Sequence, residues 1–231
     1  MSKFIVIEGV DAVGKSTQLE LLKKFFHKKK LKYKFIHFPR YDCPIYGEMI
    51  SRFLKGDFGS AHEVNPYFVS LLYAGDRNDV KEIIRRWIKK GYFVLADRYF
   101  YSNVAFQSAK INNLEEKANF KHWIETLEYG YNRIPYPDLS IYLHVPFNFI
   151  INQLKKERKG IDREYLKGAK DIHENDLELQ QKVEREYLKL VKVKKDFYLI
   201  ECFSREKGIL HPEEIHKKIV HLLKEKGVGK N

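Results

Sequence analysis

An eight-residue phosphate-binding motif near the amino terminus limits the folds open to this chain more than any other feature. Residues 9–16 read Gly-Val-Asp-Ala-Val-Gly-Lys-Ser and satisfy the pattern G-x4-G-K-S/T. The apolar run 4–7 precedes the motif, and a helix-like segment, 16–29, follows it. In that setting the glycines let consecutive backbone N–H groups surround an anion, and the helix amino terminus adds a partial positive charge. The sequence therefore predicts a P-loop that binds nucleotide phosphates.

The P-loop and the residue after it are expected to hold the phosphoryl donor, ATP, together with Mg²⁺. Lys15 would reach the β- and γ-phosphates, and the Ser16 hydroxyl would bind Mg²⁺. A glycine turn without a ligand is the alternative, but the flanking strand and helix favour the P-loop. The expected donor-binding residues are Gly9, Val10, Asp11, Ala12, Val13, Gly14, Lys15, Ser16 and Thr17.

Short apolar runs alternate with helical segments along the whole chain. The strand-like runs are 4–7, 33–38, 92–96, 139–145 and 197–200, and the main helical segments are 16–29, 66–90, 146–158, 173–191 and 212–224. This alternation predicts an α/β P-loop kinase fold, with a five-stranded parallel sheet flanked by helices on both faces. We expect a single domain over residues 1–231.

Two segments fit this alternation poorly. Residues 108–136 hold a polar stretch and then an aromatic-rich helix candidate over 120–129. Residues 155–172 are densely charged, contain two glycines and lack an apolar stripe, which predicts a charged mobile lid.

The net charge of +12 is spread over amphipathic helical segments, where solvated faces account for it. No nucleic-acid motif accompanies the charge, so we expect no nucleic-acid partner, although a nucleic-acid-stimulated P-loop ATPase is the alternative that this charge motivates. Cys43 and Cys202 are too few for a disulfide framework. No apolar stretch approaches a membrane span and no leader-like segment precedes the first strand. These features favour a cytoplasmic protein without a membrane partner.

Charged residues follow two of the predicted strands. Asp97 and Arg98 come directly after 92–96, and Arg40 comes after 33–38. Because parallel strands bind ligands at their carboxyl ends, these side chains are expected beside the P-loop. Arginine can take a phosphate bidentately, and the aspartate can assist Mg²⁺ or orient the arginine. A surface ion pair between Asp97 and Arg98 is the alternative.

Tyr73 and Arg77 lie four residues apart in the helical segment 66–90, so they share a helix face and could hold a base together. A core aromatic beside a surface arginine is the alternative for this pair. No guanine-binding N-K-x-D motif occurs, and the chain is short for a nucleic-acid motor. A kinase acting on a small anionic acceptor is the function that these features favour.

The order and spacing of these motifs closely resemble the thymidylate kinase family. The resemblance spans essentially the whole chain and implies transfer of the γ-phosphoryl group of ATP to dTMP, giving dTDP and ADP, in a homodimer. Another nucleoside-monophosphate kinase or a deoxynucleoside kinase is the alternative. The matching segments are Glu8-Gly9-Val10-Asp11, Gly14-Lys15-Ser16-Thr17, Phe38-Pro39-Arg40, Leu71 to Arg77, Asp97-Arg98-Tyr99, Ser102 to Gln107, Pro137-Asp138-Leu139 and Asp171-Ile172-His173-Glu174.

The resemblance implies a role for each matching residue. Asp11 would contact the sugar 3′-hydroxyl or magnesium, while Arg40 and Arg98 would hold the dTMP phosphate. Tyr73 would stack on thymine and Arg77 would hydrogen-bond the base. The further implied residues are Asn103 and Gln107 in the base and sugar pocket, Phe106 against the sugar 2′ position, and Glu174 at magnesium or the sugar hydroxyl. Glu174 would join Ser16 and Asp97, which the P-loop and the strand-end pattern already indicate for the metal.

The chain departs from the family pattern at its catalytic cation. One branch of the family carries an arginine directly after the P-loop aspartate, where this chain has Ala12. The other branch places basic residues in the lid, which suits the charged segment 155–170 and makes Arg158 and Arg163 candidates. Charge developing on the transferring phosphoryl group needs such a cation, although a solvated charged loop is the alternative. The expected catalytic set is Lys15, Arg98, Asp11, Arg158 and Arg163.

Three further positions also differ from the family's common residues. Tyr73 replaces the commoner phenylalanine, which preserves a ring for stacking. His173 replaces a tyrosine and His144 replaces an aspartate, and these two changes bear on base selectivity and on local electrostatics.

Overall fold

A five-stranded parallel sheet forms the centre of the fold. In the computed structural model, which describes residues 3–154, 166 and 171–229, the strand order is β2-β3-β1-β4-β5. Every residue of the middle strand β1 is buried, as expected for a strand covered on both faces. The strands are β1 (Phe4–Glu8), β2 (Tyr33–His37), β3 (Phe93–Asp97), β4 (Leu139–His144) and β5 (Phe197–Glu201).

Helices flank this sheet, and a short hairpin follows β5. Among the helices, α1 packs against α8, and α4 packs against α3, α5 and α7. The helices are α1 (Lys15–Lys28), α2 (Tyr46–Lys55), α3 (Pro66–Lys89), α4 (Phe100–Ser108), α5 (Leu114–Glu125), α6 (Phe147–Leu154), α7 (Leu177–Val193) and α8 (Pro212–Glu225). A π-helical turn, Thr126–Tyr131, continues α5, and the hairpin pairs β6 (Phe203–Ser204) with β7 (Gly208–Ile209).

The predicted fold class is confirmed, and each of the five predicted strands is present within two residues of its expected ends. The segment 173–191 begins helically only at Leu177. Its start is fixed by Asp176, whose side chain accepts a hydrogen bond from the backbone N–H of Leu179 at 2.8 Å. The candidate over 120–129 falls partly in α5 and partly in the π-helical turn.

Two helices, α2 and α4, were not predicted from the sequence. All nine residues of α4 are buried, so the helix lacks the alternation of apolar and polar faces that marks a surface helix. The predicted lid over 155–172 lies outside the described residues except for Leu166, Asp171 and Ile172. Within the described ranges, no helix has the length and apolar content to cross a membrane.

Candidate active site

The P-loop connects β1 to α1 and has the backbone that its glycines predict. Gly14 has φ of 93°, in the left-handed region, and stands at the N-cap of α1, where glycine offers no side-chain cap. The N–H groups of the first helical turn are thereby left for an anion. A Cβ at Gly9 would lie 2.7 Å from Cγ1 of Val13, so the loop needs glycine there. The Lys15 ammonium donates to the carbonyl oxygens of Val10 at 2.9 Å and Gly9 at 3.3 Å.

Asp97 ends β3 at the same sheet edge, paired in register with Ile7 of β1. Its Oδ2 lies 3.1 Å from Nδ1 of His37, and its buried Oδ1 has no hydrogen-bond partner in the part of the chain that the structure describes. Burial alone would raise the pKa of Asp97, but the hydrogen bond with His37 and the charges of Lys15 and Arg98 hold it below its ordinary value. Asp97 is therefore an ionised carboxylate with one oxygen to offer a hard cation such as Mg²⁺.

Arg98 links the P-loop to the neighbouring cleft. Its Nη1 donates to the Gly9 carbonyl oxygen at 2.9 Å and to Oγ of Ser102 at 3.2 Å, while its Nη2 donates to Oδ1 of Asp11 at 2.5 Å. Gln180 holds the other side of the same carboxylate, because its Nε2 donates to Oδ2 of Asp11 at 2.7 Å. Burial disfavours the charged guanidinium, but Asp11 together with Tyr187, Asp97 and Glu8 outweighs burial and raises the pKa of Arg98, so the side chain stays cationic.

A buried glutamate fixes the start of α4 against the P-loop. Glu8, fully buried at the end of β1, accepts hydrogen bonds from the backbone N–H groups of Tyr99 at 3.0 Å and Ser102 at 3.3 Å. The hydroxyls of Ser102 and Tyr187 donate to its Oε2 at 2.5 Å and 3.0 Å. Burial raises the pKa of Glu8 despite these donors. The carboxylate acts as an N-terminal cap supplied by a different element of the fold.

A cleft with roughly 550 Å³ of space, including adjoining solvent, opens beside Arg98. Eight of the predicted site residues line this cleft. The carboxyl end of β3, helices α3 and α4 and the segment 171–176 all contribute to its wall. The eight are Asp11, Tyr73, Arg77, Arg98, Asn103, Phe106, Gln107 and Glu174.

Arg40 is a predicted phosphate ligand that is not part of the cleft lining. It follows β2 at the expected edge, but Asp76 and Asp79 of α3 hold its guanidinium. Its Nε donates to Oδ1 of Asp76 at 2.8 Å and its Nη2 donates to Oδ2 of Asp79 at 2.7 Å. The pair with the fully buried Asp76 anchors the segment after β2 to α3.

The deep end of the cleft is polar and largely buried. Arg77 pairs there with Glu128, and Asn103 donates from Nδ2 to the same carboxylate. Gln107 is completely buried, and within the described ranges neither its amide oxygen nor its amide nitrogen has a hydrogen-bond partner. Buried polar atoms without partners are costly, so Gln107 is suited to a polar ligand in this cleft.

The family-atypical His173 lies in the cleft wall between two rings. It stacks on Phe106 with ring centroids 5.3 Å apart and meets Phe53 edge-on at the same distance. Burial lowers the pKa of His173 well below its ordinary value, so the ring is neutral. No described residue makes a hydrogen bond to its Nε2. His144, the other atypical histidine, lies between Glu184 and Glu201, which raise its pKa although burial opposes them.

Sequence reasoning missed several residues that shape this site. Glu128 and Gln180 belong to no recognisable sequence motif. The predicted lid cations Arg158 and Arg163 lie outside the described residues. The described part of the chain contains no cluster of three metal-ligating side chains.

Comparison with known proteins places the chain in one family. A protein-family model described as "Thymidylate kinase" matches residues 7–218. A probable thymidylate kinase of Pyrococcus horikoshii is 31% identical over 228 residues, with 98% of each chain covered. A thymidylate kinase of Thermosipho melanesiensis is 32% identical over 202 residues, covering 86% of this chain and 88% of that one. The solved thymidylate kinase of Candida albicans has the same fold, with a TM-score of 0.76 at 21% identity, covering 99% and 94% of the two chains.

The ammonium of Lys110, two residues after α4, yields a prediction about pH. Its Nζ lies 4.9 Å from the Phe53 ring centroid and has no hydrogen-bond partner among residues 3–154, 166 and 171–229. Burial lowers the pKa of Lys110 to about 7. Above that pH the unfolded chain keeps a proton that the folded chain has released, so stability rises with pH until the unfolded lysine also titrates. Lys110→Met should therefore stabilise the protein most at about pH 7 and progressively less towards about pH 10.

Urea unfolding of both proteins across this pH range measures the effect. Lys34→Met is the matched control, because the exposed Lys34 ammonium also lies over an aromatic ring, that of Tyr92. A stability difference between wild type and Lys110→Met that stays constant with pH would contradict the prediction.

Proposed function

The chain belongs to the thymidylate kinase family, and we propose that it transfers the γ-phosphoryl group of ATP to dTMP, giving dTDP and ADP. The observation that carries the assignment is the double contact of Arg98, which bonds both the P-loop carbonyl of Gly9 and the carboxylate of Asp11. An acceptor phosphate on Arg98 would lie beside a donor phosphate on the P-loop. Transfer of this kind needs positioning and charge stabilisation rather than a covalent step on the protein.

We assign the donor phosphates to the P-loop and the first turn of α1. Lys15 would move from its carbonyl partners onto the β- and γ-phosphates, because a phosphate is the stronger acceptor for an ammonium. Ser16 and Asp97 would hold Mg²⁺, with Glu174 on the acceptor side. When bound, this ion neutralises charge on the phosphate oxygens.

We assign the acceptor to the cleft beside Arg98. Arg98 would take the dTMP phosphate bidentately, with Arg40 assisting from the end of β2, and Asp11 would contact the sugar 3′-hydroxyl or the metal. Tyr73 would stack on the base. The remaining contacts are assigned to Arg77, Asn103 and Gln107 at the base and to Phe106 at the sugar 2′ position.

A cation for the transferring phosphoryl group is assigned to the lid. Position 12, where a P-loop cation could stand, is Ala12. Arg158 and Arg163 are therefore proposed for this role, since charge that develops in the transition state must be balanced by a nearby donor.

We propose that the enzyme works as a cytoplasmic homodimer without nucleic-acid or membrane partners. Phe68 and Leu71 of α3 are both exposed, and their spacing of three residues places them on one helix face. This exposed apolar pair supports a dimer interface on that face of α3. Light scattering of the purified protein should give twice the chain mass, and Phe68→Glu should shift it towards the monomer. A monomeric wild type would contradict the dimer.

A panel of acceptors tests the activity. With ATP and Mg²⁺, the enzyme should release ADP fastest with dTMP among dTMP, dUMP, dCMP, dGMP and UMP, because the cleft offers base contacts as well as phosphate contacts. Thymidine, which lacks the phosphate that Arg98 binds, should be turned over at no more than about a hundredth of that rate. Equal rates across the panel, or ADP release stimulated by DNA, would contradict the proposed function.

Two substitutions separate the donor and acceptor sites. Lys15→Ala should lower kcat by about 10²–10³-fold, because it removes a cation from the transferring phosphoryl group. Tyr73→Ala should raise the KM for dTMP by about tenfold or more with a smaller change in kcat, because stacking on a base is worth about 1–3 kcal/mol. Tyr73→Phe retains the ring and serves as the control. Wild-type kinetics in both alanine variants would contradict the site assignment.

A further inference from the structure

The carboxylate of Glu128 is completely buried at the deep end of the cleft and is used by two pocket residues. Nε of Arg77 donates to its Oε2 at 2.5 Å, and Nη2 of Arg77 donates to its Oε1 at 2.7 Å. Nδ2 of Asn103 donates to the same Oε1 at 3.1 Å. Neither the sequence motifs nor the family resemblance pointed to Glu128.

These contacts fix which hydrogen-bonding atoms remain for a ligand. Nδ2 of Asn103 donates to Glu128 and also to the Ser70 carbonyl oxygen, the latter at 3.2 Å. A flip of the side-chain amide would break both hydrogen bonds. The buried Oδ1 of Asn103 has no hydrogen-bond partner among the residues that the structure describes, and it can only accept. Arg77 has two of its nitrogens on Glu128, and its Nη1 makes a long contact of 3.4 Å to the Tyr99 carbonyl oxygen. That nitrogen can only donate.

We propose that Glu128 determines the base specificity of this enzyme by fixing the hydrogen-bond polarity of Asn103 and Arg77. The inference rests on the proposed function. One fixed acceptor beside one fixed donor is complementary to a base edge that presents a ring N–H next to a carbonyl oxygen. Thymine, uracil and guanine carry such an edge, whereas cytosine and adenine carry a ring nitrogen acceptor next to an amino group.

Cytosine presents the opposite pattern of donor and acceptor, and this mismatch is the proposed source of discrimination between dTMP and dCMP. A cytosine in this position would set its ring nitrogen against Oδ1 of Asn103 and its amino group against Nη1 of Arg77. Both contacts then leave buried polar atoms unpaired, and a site built for hydrogen bonding rejects such a ligand far more strongly than an apolar pocket rejects a misfit. Gln107, with both amide atoms available, can adapt to either edge and adds no such selection.

The backbone around Glu128 explains how a carboxylate reaches this place. Glu128 lies in the π-helical turn Thr126–Tyr131, where the wider coil displaces it from the path that α5 would have followed. Two backbone hydrogen bonds close the turn. The N–H of Asn132 donates to the Leu127 carbonyl oxygen at 2.8 Å, and the N–H of Ile134 donates to the Glu128 carbonyl oxygen at 3.0 Å. Nζ of Lys81 in α3 also binds the end of this turn, because it donates to the Asn132 carbonyl oxygen at 2.7 Å.

The test is the ratio of kcat/KM for dTMP to kcat/KM for dCMP in the full-length enzyme. The wild-type ratio should be at least about 10³. Glu128→Gln is isosteric but turns one acceptor into a donor, which frees the Asn103 amide to turn over. The ratio should then fall by about tenfold or more, mainly through KM, while kcat at saturating dTMP changes by only a few-fold.

Glu186→Gln is the matched control. Glu186 is also a buried carboxylate, 2% exposed, but it pairs with Lys117, Lys121 and Lys189 away from the cleft. Its substitution should leave the ratio unchanged to within about twofold. A loss of folded protein alone would lower both values of kcat/KM in proportion, so an unchanged ratio in Glu128→Gln would overturn the inference.

Asn103→Ala keeps the test decisive if Glu128→Gln does not fold. It removes the amide that Glu128 orients and leaves the pair of Glu128 with Arg77 in place, so the ratio should again fall by about tenfold. An unchanged ratio in Asn103→Ala would overturn the inference. A wild type that used dCMP as well as dTMP would also overturn it, whereas a wild type with no dTMP kinase activity would instead contradict the proposed function.

Discussion

The geometry of the site depends on one buried carboxylate at the end of the central strand. Glu8 accepts hydrogen bonds from the backbone at the start of α4, and the P-loop begins at the residue after it. The loop that would hold the donor and the helix that would line the acceptor pocket are therefore joined through one side chain. Arg98 makes a second connection, between the same loop and the same helix, through Gly9 and Ser102. Reactions that rely on positioning require this rigidity, because small displacements between two substrates lower the rate steeply.

Charge in the cleft is arranged in opposed pairs. Arg98 is held by Asp11, and Arg77 is held by Glu128, each across a short contact between side chains that the fold largely shields from water. Buried pairs of this kind are not a strong source of stability, because desolvation offsets most of the attraction. Their value here is orientation, since a cation that is already fixed needs little rearrangement when an anionic or polar ligand arrives. Asp97, at the end of β3, adds a buried carboxylate oxygen that has no hydrogen-bond partner among the described residues.

The sequence predicted the parts of this architecture that repeat a pattern and missed those that do not. Strands and the P-loop follow from apolar runs and glycine spacing, and α3 follows from its helical period. Helix α4 was missed because every one of its residues is buried, which removes the period. Glu128 was missed because its place depends on a π-helical turn, and the extra residue in that turn leaves no local sequence signal. Arg40 was predicted to bind a phosphate, but in the structure its guanidinium pairs with Asp76. Asp76 lies 36 positions away in the sequence, so no local pattern identifies this partner.

The complete burial of α4 also constrains how this enzyme can change over evolutionary time. Asn103, Phe106 and Gln107 all lie on that helix, and each packs into the core as well as facing the cleft. Enlarging one of them would overpack the interior, and shortening one would leave a cavity, so both directions reduce folding stability. New substrate preferences are therefore most accessible through exchanges of similar volume that alter polarity. Over evolutionary time, the phosphoryl acceptors used by descendants of this enzyme should change in hydrogen-bonding character sooner than in size.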